Sequence, residues 1–382
     1  MKSELFNKEI YNFLKNKTEV FYDMKNCNHH HSNGSINTHH EEGSVFNHTM
    51  LVVDYLLREY EDMLNKETII AAYLHDYGKC FVREEKENKV RFFSHHNRAL
   101  NETISIIKRI KSEVETCKNI NIPFVLYLIN FHMADKVEKF SPKEFAHKFK
   151  AIYKVVGTSI FNFIDQLFYI FEADNFGRIA ENKTDISYYK DNHYETIYYI
   201  SLITEDEDIF NTKDNLEKEI KMFSRPICCL FIGPSSSGKS TYLSTIDTKN
   251  YKIISRDEIV MSKYSKMINS KDFSYSTAFK NVNQEEVNKE LYELIKTTIN
   301  NEENFIVDMT NCSAKARRKI LSNLKKNYIK IAKTFVESSK TILSRNSFIN
   351  GKNIPESAIY DMFNRFMLPT YDEFDKIEFI NI

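Results

Sequence analysis

A glycine-bearing loop in the second half of the chain constrains the fold most, because its chemistry requires a strand before it and a helix after it. Residues 233–241 read GPSSSGKST, and an apolar, β-type run from Ile227 to Ile232 leads directly into them. In such a P-loop, backbone N–H groups surround phosphate oxygens, the lysine reaches the β- and γ-phosphates, and the next hydroxyl ligates Mg²⁺. The pattern predicts a site for ATP or another nucleoside triphosphate with Mg²⁺, built from Gly233, Ser236, Ser237, Gly238, Lys239, Ser240 and Thr241.

The second half of the chain alternates between β-type runs and helical or loop segments. The runs are Ile227–Ile232, Lys252–Ile254, Phe305–Val307, Tyr328–Phe335 and Ile377–Ile380. Strand–helix alternation behind a P-loop indicates a parallel sheet with helices on both of its faces. We therefore predict an α/β domain over residues 225–382.

The first half shows helical periodicity. Apolar residues recur at three- and four-residue intervals in Val45–Tyr60, Thr68–Tyr77, Asn97–Ile110 and Ile160–Phe176. We predict an all-α bundle over residues 1–224, in which about 179–224 form terminal helices and a linker with an exposed acidic turn at 205–208. The length of 382 residues exceeds what one hydrophobic core usually serves, which also favours two domains.

Charge and composition limit the possible partners. Lys and Arg total 53, Asp and Glu also total 53, and the formal net charge is therefore zero. A surface that binds polyanions along its whole length is not expected, and any nucleic-acid contact should be a local patch. The N-terminal sequence MKSELFNKEI lacks the apolar core of a signal peptide, and long apolar runs are missing, so we expect a cytoplasmic protein without a membrane partner.

A second candidate centre lies in the first half, where all twelve histidines fall between His29 and His193. His75 and Asp76 are adjacent at the end of an apolar helix, and further candidates occur on other predicted helices. Imidazole and carboxylate groups suit a divalent transition metal such as Mn²⁺, Co²⁺, Ni²⁺ or Fe²⁺. Five or six such groups can hold two ions that share Asp76 and act together on a phosphoryl group. The candidate ligands are His48, His75, Asp76, His95, His132 and Asp174.

Several of the histidines have simpler interpretations. His132 can be an ordinary core or surface histidine instead of a ligand. Residues 29–31, which are three consecutive histidines, are expected in a solvated loop with adventitious metal affinity. His39 and His40 are expected to support the site or the fold and not to bind an ion.

The order of these residues resembles the HD-domain phosphohydrolase superfamily, with its H…HD…D series of ligands, over roughly Gly43–Arg178. The segment HEEGSVFNHT at residues 40–49 is similar to the first-ligand region of that family. The segment FFSHH at residues 92–96 is similar to its phenylalanine-x-glycine-histidine signature, with Ser94 in place of the glycine. The resemblance implies a metal-dependent phosphohydrolase in which Lys79 of HDYGK and Arg178 of ADNFGR contact phosphate.

Two carboxylates are placed to serve the P-loop. Asp257, in SRDE, follows the second predicted strand and would lie at the C-terminal edge of the sheet, where ligands bind. It can take the proton of an attacking hydroxyl group, or it can simply cap the next helix. Asp308 ends the strand FIVD and suits a carboxylate that orients Mg²⁺ or its waters.

Basic residues follow both carboxylates. Lys315, Arg317 and Arg318 lie on a predicted helix after Asp308, as a binding face or as a solvated one. Arg345, followed by Gly351, Pro355 and the segment PTYDEF at residues 369–374, indicates an α-helical lid with its anchor. Arg345 would close on the phosphates of ATP and stabilise charge in the transition state.

The segments GPSSSGKST, SRDE, FIVDMTN and SRN…P…Y-x-E-F together resemble the 5′-hydroxyl polynucleotide kinases over Pro226–Ile382. Such kinases usually place an arginine three residues after the general-base aspartate, where this chain has Val260. Many also carry a second lid arginine four residues after the first, where this chain has Ile349. The candidates to replace these arginines as contacts to the acceptor are Arg256, Lys352 and Arg365.

A chain that joins an HD domain to a polynucleotide-kinase-like domain resembles the bifunctional HD/polynucleotide kinase family of RNA end-healing enzymes. This resemblance implies that the HD domain opens a 2′,3′-cyclic phosphate and removes a 2′-phosphate, while the kinase phosphorylates a 5′-OH end. A separate RNA ligase would then join the two ends.

Two alternatives remain open at this point. One is a nucleotide or small-metabolite kinase fused to a nucleotide phosphohydrolase. The other is an HD phosphohydrolase gated by a regulatory ATP-binding module. The sequence leaves open the preference for RNA or DNA, the identity and number of the metal ions, and the oligomeric state.

Overall fold

The computed structural model describes residues 2–86, 89–136, 140–206, 225–348 and 353–382. The chain separates into two compact units, one that precedes residue 207 and one that contains residues 225–381, and each is described by itself. Ile349, Gly351 and Lys352 of the predicted lid lie outside the described residues, as does the linker from Glu207 to Ser224. The acidic turn predicted from residue 205 is not seen at residues 205–206, which end a helix.

The first unit is built from helices, as predicted. They are α1 (Lys2–Lys17), α2 (Val20–Asn26), α3 (Val45–Tyr60), α4 (Lys66–Leu74), α5 (His95–Glu113), α6 (Ile122–Phe131), α7 (Pro142–Phe149), α8 (Tyr153–Val156), α9 (Ile160–Phe176) and α10 (Ile186–Asp206). The described part also contains an antiparallel hairpin of β1 (Glu84–Lys86) and β2 (Lys89–Arg91). The sequence pattern missed this hairpin because its short, charged strands show no apolar alternation.

Helices α4 and α6 form the centre of the first unit. Every residue of α6 except Pro123 is buried, and so is every residue of α4 from Thr68 to Leu74. A helix that is apolar on all sides has to be surrounded by others, and α4 packs against both α3 and α6. The polar residues that follow these two helices, His75 and His132, are therefore carried into the interior with them.

Helix caps fix where the neighbouring helices begin. The Ser44 hydroxyl accepts a hydrogen bond from the Asn47 N–H at the start of α3, and the Ser159 hydroxyl does the same for Asn162 at the start of α9. Each cap satisfies an N–H group that the first turn leaves without a partner. As a result, both helices enter the bundle at a defined residue.

The second unit is the predicted α/β domain with a parallel sheet. Its strands, in the spatial order β4-β5-β3-β6-β7, are all parallel to their neighbours. They are β3 (Ile227–Ile232), β4 (Lys252–Ser255), β5 (Phe305–Asp308), β6 (Ile329–Phe335) and β7 (Lys376–Ile380). The helices are α11 (Lys239–Leu243), α12 (Arg256–Ile268), α13 (Tyr275–Asn281), α14 (Gln284–Asn300), α15 (Ala314–Leu321), α16 (Ser339–Phe348) and α17 (Glu356–Asn364).

The central strand of this sheet positions the P-loop. Residues Cys228 to Ile232 of β3 are buried, as expected for a strand with a neighbour on each side and helices on both faces. Because all the strands are parallel, their carboxyl ends meet at one edge, and loops that follow β3, β4 and β5 meet there too. None of the helices in the described ranges combines the length and apolar character of a membrane span.

Candidate functional site

The six candidate metal ligands of the first unit lie in, or directly after, the terminal turns of five helices. His48 is in the first turn of α3, His95 begins α5, and Asp174 is in the last turn of α9. His75 directly follows α4, with Asp76 next to it, and His132 directly follows α6. The structure brings all six together, and each side chain belongs to a residue that is at most 5% exposed.

One oxygen of Asp76 faces a first group of ligands. Asp76 Oδ2 lies 3.5 Å from His48 Nε2 and 3.4 Å from His75 Nε2. Asp174 Oδ1 lies 2.9 Å from the same His48 nitrogen and 3.6 Å from the same His75 nitrogen. The four side chains therefore turn one ligand atom each towards a common point.

The other oxygen of Asp76 faces a second group. Asp76 Oδ1 lies 3.2 Å from His95 Nε2 and 3.6 Å from His132 Nε2, and these two nitrogens are 3.2 Å apart. Asp76 is thus shared between two sets of histidines. This is the arrangement that a carboxylate bridging two ions requires.

The outer nitrogen of each of the four histidines lies within 3 Å of an oxygen atom. The Nδ1 atoms of His75, His95 and His132 lie 2.7–2.9 Å from backbone carbonyl oxygens of residues three positions earlier. His48 Nδ1 instead lies 2.9 Å from the Glu42 carboxylate. When Nδ1–H donates outwards, the lone pair of Nε2 points inwards, which is the tautomer that a metal ligand needs.

These residues fit divalent metal ions. Bonds of about 2.0–2.2 Å place two ligands of one ion roughly 3–4 Å apart, and the distances within both groups have this size. His75 Nε2 is buried and makes no hydrogen bond to a described residue, which suits an atom that binds an ion. Neutral imidazole with carboxylate is the donor set of divalent transition metals. The described residues can therefore hold one ion or two.

Two lysines compensate the buried carboxylates. Lys79 Nζ lies 2.6 Å from Asp76 Oδ2, and Lys136 Nζ donates to Asp174 Oδ2. Arg178, predicted to contact phosphate beside them, is held elsewhere: its Nη2 donates to Asn175 Oδ1 at 3.0 Å and to the Asn182 carbonyl at 3.2 Å. Among the described residues, Lys136 and not Arg178 is the cation on Asp174.

The electrostatics of the cluster follow from burial and charge together. Burial alone would raise the pKa of Asp76 and Asp174, but chiefly Lys79 beside the first and Lys136 beside the second hold both well below the usual value. Burial lowers the pKa of His132 to about 4. Burial alone would lower the pKa of His75 too, but the charges of Asp76 and Asp174 raise it to about 9.

Glu42 and His29 form an outer layer that the sequence did not identify. The Glu42 carboxylate lies 2.8 Å from His40 Nδ1 and also accepts the Ile179 N–H at 2.9 Å, in addition to facing His48. His29, expected in a solvated loop, is buried, and its Nε2 lies 3.2 Å from Lys79 Nζ. The expectation for His29 was wrong because packing against distant residues, which local polarity does not reveal, buries the ring.

Local backbone geometry explains two positions of the motifs. A Cβ at Gly78 would lie 2.0 Å from the His95 carbonyl oxygen, so only glycine lets the turn after Asp76 pack against the start of α5. Ser94 has φ 60° and ψ 23°, which is the left-handed region that favours glycine. The serine in the FFSHH segment therefore stands where a glycine would be less strained.

In the second unit, the P-loop follows β3 and its path requires small residues. A Cβ at Gly233 would lie 2.6 Å from the Phe335 carbonyl oxygen, and Gly238 has φ 102°. Lys239 Nζ donates to the carbonyls of Gly233 at 2.9 Å and Pro234 at 2.5 Å. Lys239 has to exchange these carbonyls for phosphate oxygens when a nucleotide binds. Ser236 and Ser237 lie within the loop, and Ser240 and Thr241 lie in α11.

The two candidate carboxylates lie at the end of neighbouring strands. Ser255 of β4 pairs with Asp308 of β5, and Asp257 follows Ser255 by two residues in α12. The Tyr275 hydroxyl donates to Asp257 Oδ1 at 2.7 Å, and burial together with the Asp257 charge raises the pKa of Tyr275. The Gly233 N–H donates to the Thr310 carbonyl at 2.9 Å, which ties the P-loop to the segment after Asp308.

Arg345 lies next to the P-loop. It is on α16, its Nη1 donates to the Ser236 carbonyl at 3.3 Å, and its Nη2 lies 3.3 Å from Glu337 Oε2. Helices α16 and α17 pack together through Ile342, Ile359 and Phe363. A guanidinium group at this place can reach a phosphate bound in the loop by a small change of rotamer.

The predicted basic helix contains one residue of a different kind. Arg317 on α15 is fully buried, and its guanidinium group makes two contacts of 3.0 and 2.7 Å with the Glu373 carboxylate. It also donates to the Cys312 and Met367 carbonyls. Arg317 therefore anchors the segment of residues 369–374 to the domain and does not belong to a binding face with Lys315 and Arg318, which are exposed.

The residues that could replace the absent acceptor arginines either contact other side chains or lie outside the described residues. Val260 is buried in the core. Arg256 donates to Asn288 Oδ1 at 3.2 Å and to Gln284, and Arg365 lies 3.7 Å from Asp361. Lys352 lies outside the described residues.

Comparisons with known proteins bear on the second unit. The family model of an AAA domain matches residues 229–369. A chain of the "Structure of Pnkp1/Rnl/Hen1 complex" is similar at 20% identity with a TM-score of 0.24, over 32% of this chain and 39% of that chain. This chain thus spans well under half of that one, and a likeness of this size carries no argument. A comparison with curated proteins gives no match.

The second unit is thus an α/β domain with a P-loop, similar to the AAA domain family, and such a loop implies a nucleotide with Mg²⁺. The first unit is a helical domain whose buried histidines and aspartates can bind metal.

Proposed function

We propose that this chain heals RNA ends. Its second unit transfers the γ-phosphate of ATP or another nucleoside triphosphate to a 5′-OH end. Its first unit, an HD-type phosphohydrolase, hydrolyses a 2′,3′-cyclic phosphate and removes the 2′-phosphate. The observation that carries the proposal is the presence, in one chain, of Asp76 shared between two histidine groups and of a P-loop at the same sheet edge as Asp257.

In the kinase reaction, the 5′ oxygen attacks the γ-phosphorus and the bond to the β–γ bridging oxygen breaks. Asp257 takes the proton of the 5′-OH group, and ADP leaves with the bridging oxygen. Lys239 and Arg345 neutralise the charge that grows on the phosphoryl oxygens, and Ser240 and Asp308 hold Mg²⁺. Tyr275 keeps the Asp257 carboxylate in place through its hydrogen bond.

In the phosphoesterase reaction, His48, His75, Asp76, His95, His132 and Asp174 hold the metal. A bound divalent ion supplies Lewis-acid polarisation of the phosphoryl oxygen and makes a water more acidic. Lys79 lies beside the same cluster and can contact a phosphate oxygen there, while His29 Nε2 accepts a hydrogen bond from its ammonium group and fixes its direction. The buried histidines exclude bulk water, which strengthens each of these charge interactions.

One incubation tests both reactions. The protein is mixed with γ-labelled ATP, Mg²⁺ or Mn²⁺, and an RNA that carries a 5′-OH and a 2′,3′-cyclic phosphate. We expect label at the 5′ end and loss of the cyclic phosphate. A protein that leaves both ends unchanged with every divalent ion tried would contradict the proposal.

The same assay separates the alternatives. Transfer to a nucleoside or small metabolite but to no oligonucleotide would favour a small-acceptor kinase. Binding of ATP without transfer to any acceptor would favour a regulatory module. Asp257 and Arg345 near the P-loop argue against the regulatory module, because a sensor needs neither a general base nor a charge-stabilising arginine.

A further inference from the structure

A groove lies between α14 and α15 of the second unit, and neither the P-loop nor the candidate base uses it. Its volume is about 190 Å³. Apolar side chains of Leu291, Met309 and Ile320 line it, together with Tyr292, Lys315 and Lys319. An apolar floor with an aromatic ring and two amines at its rim suits a ligand that has both a flat ring and a negative charge.

The groove opens at the edge of the sheet where phosphoryl transfer is proposed. Met309 and Asn311, which line it, directly follow Asp308 at the end of β5. Between them, the Thr310 carbonyl accepts the N–H of Gly233 in the P-loop. On the other side, Ser255 pairs with Asp308 and precedes Asp257 by two residues. The groove and Asp257 therefore border the same edge of the sheet, and an acceptor strand whose 5′ end lies at Asp257 can extend towards the groove.

The charges around the groove favour an anion. Lys315 and Lys319 are one turn apart on α15 and both are exposed. Two of the four acidic residues of α14 are engaged elsewhere, since Glu286 and Glu290 lie 3.7 and 3.0 Å from Lys263 of α12. Arg317, the buried arginine between the two lysines, is paired with Glu373 and so adds no charge to the rim. The chain as a whole is neutral, and two exposed lysines on one helix form a local patch of the kind through which a neutral protein can hold a polyanion.

The size of the groove favours one ring over a whole small molecule. Pockets for drug-sized ligands begin at roughly 300 Å³, which is larger than this groove. Tyr292 is 38% exposed and can offer a face for stacking. Single-stranded nucleic acids are held in this way, by bases stacked on aromatic rings and by amines that follow the phosphates.

We propose that the α14–α15 groove binds the nucleotides that follow the 5′ end of a single-stranded acceptor. Tyr292 stacks on a base, and Lys315 and Lys319 contact the adjoining phosphates. The inference rests on the proposed kinase function and gives it a polynucleotide acceptor. It also supplies a grip that Val260, which is buried, and Arg256, which is bonded to Asn288 and Gln284, do not supply.

The test compares two double variants of the full chain. Lys315→Ala with Lys319→Ala removes the rim, while Lys249→Ala with Lys326→Ala removes two exposed lysines that precede β4 and β6 at the opposite edge of the sheet. Binding of a fluorescent 5′-OH ten-nucleotide RNA is measured by anisotropy over a range of salt concentrations. We expect only the rim variant to bind at least tenfold more weakly, with the slope of log affinity against log salt reduced by about 1.4.

Tyr292→Ala should weaken binding by roughly 5- to 100-fold, while Tyr292→Phe, which keeps the ring, should bind normally. Equal binding by the rim variant and its control would overturn the groove proposal, and so would a wild-type protein that binds no RNA.

A kinase assay on the same proteins separates this inference from the proposed function. The KM for a ten-nucleotide 5′-OH acceptor should rise in the rim variant, whereas the KM for ATP and for a dinucleotide should not. Normal RNA binding through the groove without phosphate transfer would support the groove proposal and contradict the proposed kinase activity. Phosphate transfer with an unchanged KM for the long acceptor in the rim variant would support the proposed kinase activity and contradict the groove proposal.

Discussion

The two candidate centres are assembled in opposite ways. The candidate metal centre draws its candidate ligands from residues 48 to 174, at the ends of five helices, and buries them almost completely. The P-loop is nine consecutive residues at the end of one strand, and its lysine is held by carbonyls of the same loop. The first centre therefore depends on the packing of a whole domain, whereas the second depends mainly on local backbone conformation.

This difference has an electrostatic consequence. A buried carboxylate is expensive unless charges and hydrogen bonds surround it, and Asp76 and Asp174 have both lysines and histidines as neighbours. In the P-loop, backbone N–H groups contact the phosphate, and these groups are polar without being charged, so they need no charged partner. We therefore expect the metal centre to respond strongly to changes in its outer layer, and the P-loop centre to respond mainly to changes in the side chains that touch the nucleotide.

The largest effect should come from removing the central residue of each centre. Asp76→Asn takes a shared charge from both histidine groups, and we expect phosphoesterase activity to fall by roughly 10³-fold or more, because metal catalysis supplies several kcal/mol. Lys239→Met should abolish 5′ phosphorylation to a similar extent. Each variant should keep the activity of the other centre, measured on RNA carrying both ends.

The retained activity serves as the folding control in this experiment. A folded variant in which one substitution silenced both reactions would show that the two centres are not independent. In that case it would be wrong that one centre depends on the packing of its own domain and the other on local backbone conformation.

Local patterns explain what the sequence revealed about the P-loop half. The loop, its preceding strand and the parallel sheet were predicted, and the fold confirms the strand–helix alternation. This prediction was possible because each strand carries its own apolar run. Tyr275 was missed, because nothing in its neighbourhood indicates that its hydroxyl reaches a carboxylate eighteen residues earlier.

In the first unit, sequence motifs predicted some of the residues of the cluster and not others. Adjacent His75 and Asp76, with Asp174 far downstream, were enough to propose a cluster. Lys136 carries no recognisable signal, since its partner Asp174 is 38 residues away. His29 was placed in solvent because polar neighbours suggest a loop, yet Phe92 and Lys79 cover it. Burial of a polar side chain depends on tertiary contacts, which a single sequence does not show.

Glu42 offers a sharper test of the contrast, because it touches no substrate. Its carboxylate holds the outer nitrogens of His48 and His40. Glu42→Gln removes the charge and turns one acceptor into a donor, so we expect a 10- to 100-fold loss of metal affinity. Affinity is measured by competition with a chelating dye. The exposed neighbour in Glu41→Gln should bind metal normally, and equal losses in both variants would contradict a specific role for Glu42.

The pH dependence of metal binding should be a smaller effect. In the metal-free fold the pKa of His75 is raised from 6.5 to about 9, so the ring carries a proton over this interval that an ion must displace. Apparent affinity should therefore rise by up to about tenfold per pH unit from 6.5 and level off above 9. The stability that protonated His75 gives to the metal-free protein is present below 6.5 and lost towards 9. An affinity that is flat between pH 7 and 9 would contradict this assignment.

On the kinase side, the support that corresponds to Glu42 is the hydrogen bond from Tyr275 to Asp257. Tyr275→Phe removes the hydroxyl that donates to Asp257, and a hydrogen bond of about 0.5–1.5 kcal/mol predicts a loss in kcat of roughly 2- to 10-fold. The KM for ATP should not change. Tyr251→Phe removes a hydroxyl from a ring that precedes β4, at the opposite edge of the sheet from Asp257, and provides the control. A loss in kcat far beyond tenfold would mean that the kinase centre is as sensitive to its outer layer as the metal centre.

The smallest effect should come from Ser94→Gly, which changes only backbone preference in the first unit. A left-handed conformation costs a non-glycine residue roughly 1–2 kcal/mol, and glycine gives back about 0.5–1 kcal/mol through its freer unfolded chain. We therefore expect a gain of under about 1 kcal/mol in the free energy of unfolding, measured by denaturant titration of the metal-free protein. Ser159→Gly, which removes the cap of α9 where φ is −60°, should instead destabilise the same unit. If Ser94→Gly also destabilised the unit, the serine side chain would stabilise the fold before His95 by more free energy than the left-handed backbone of Ser94 costs.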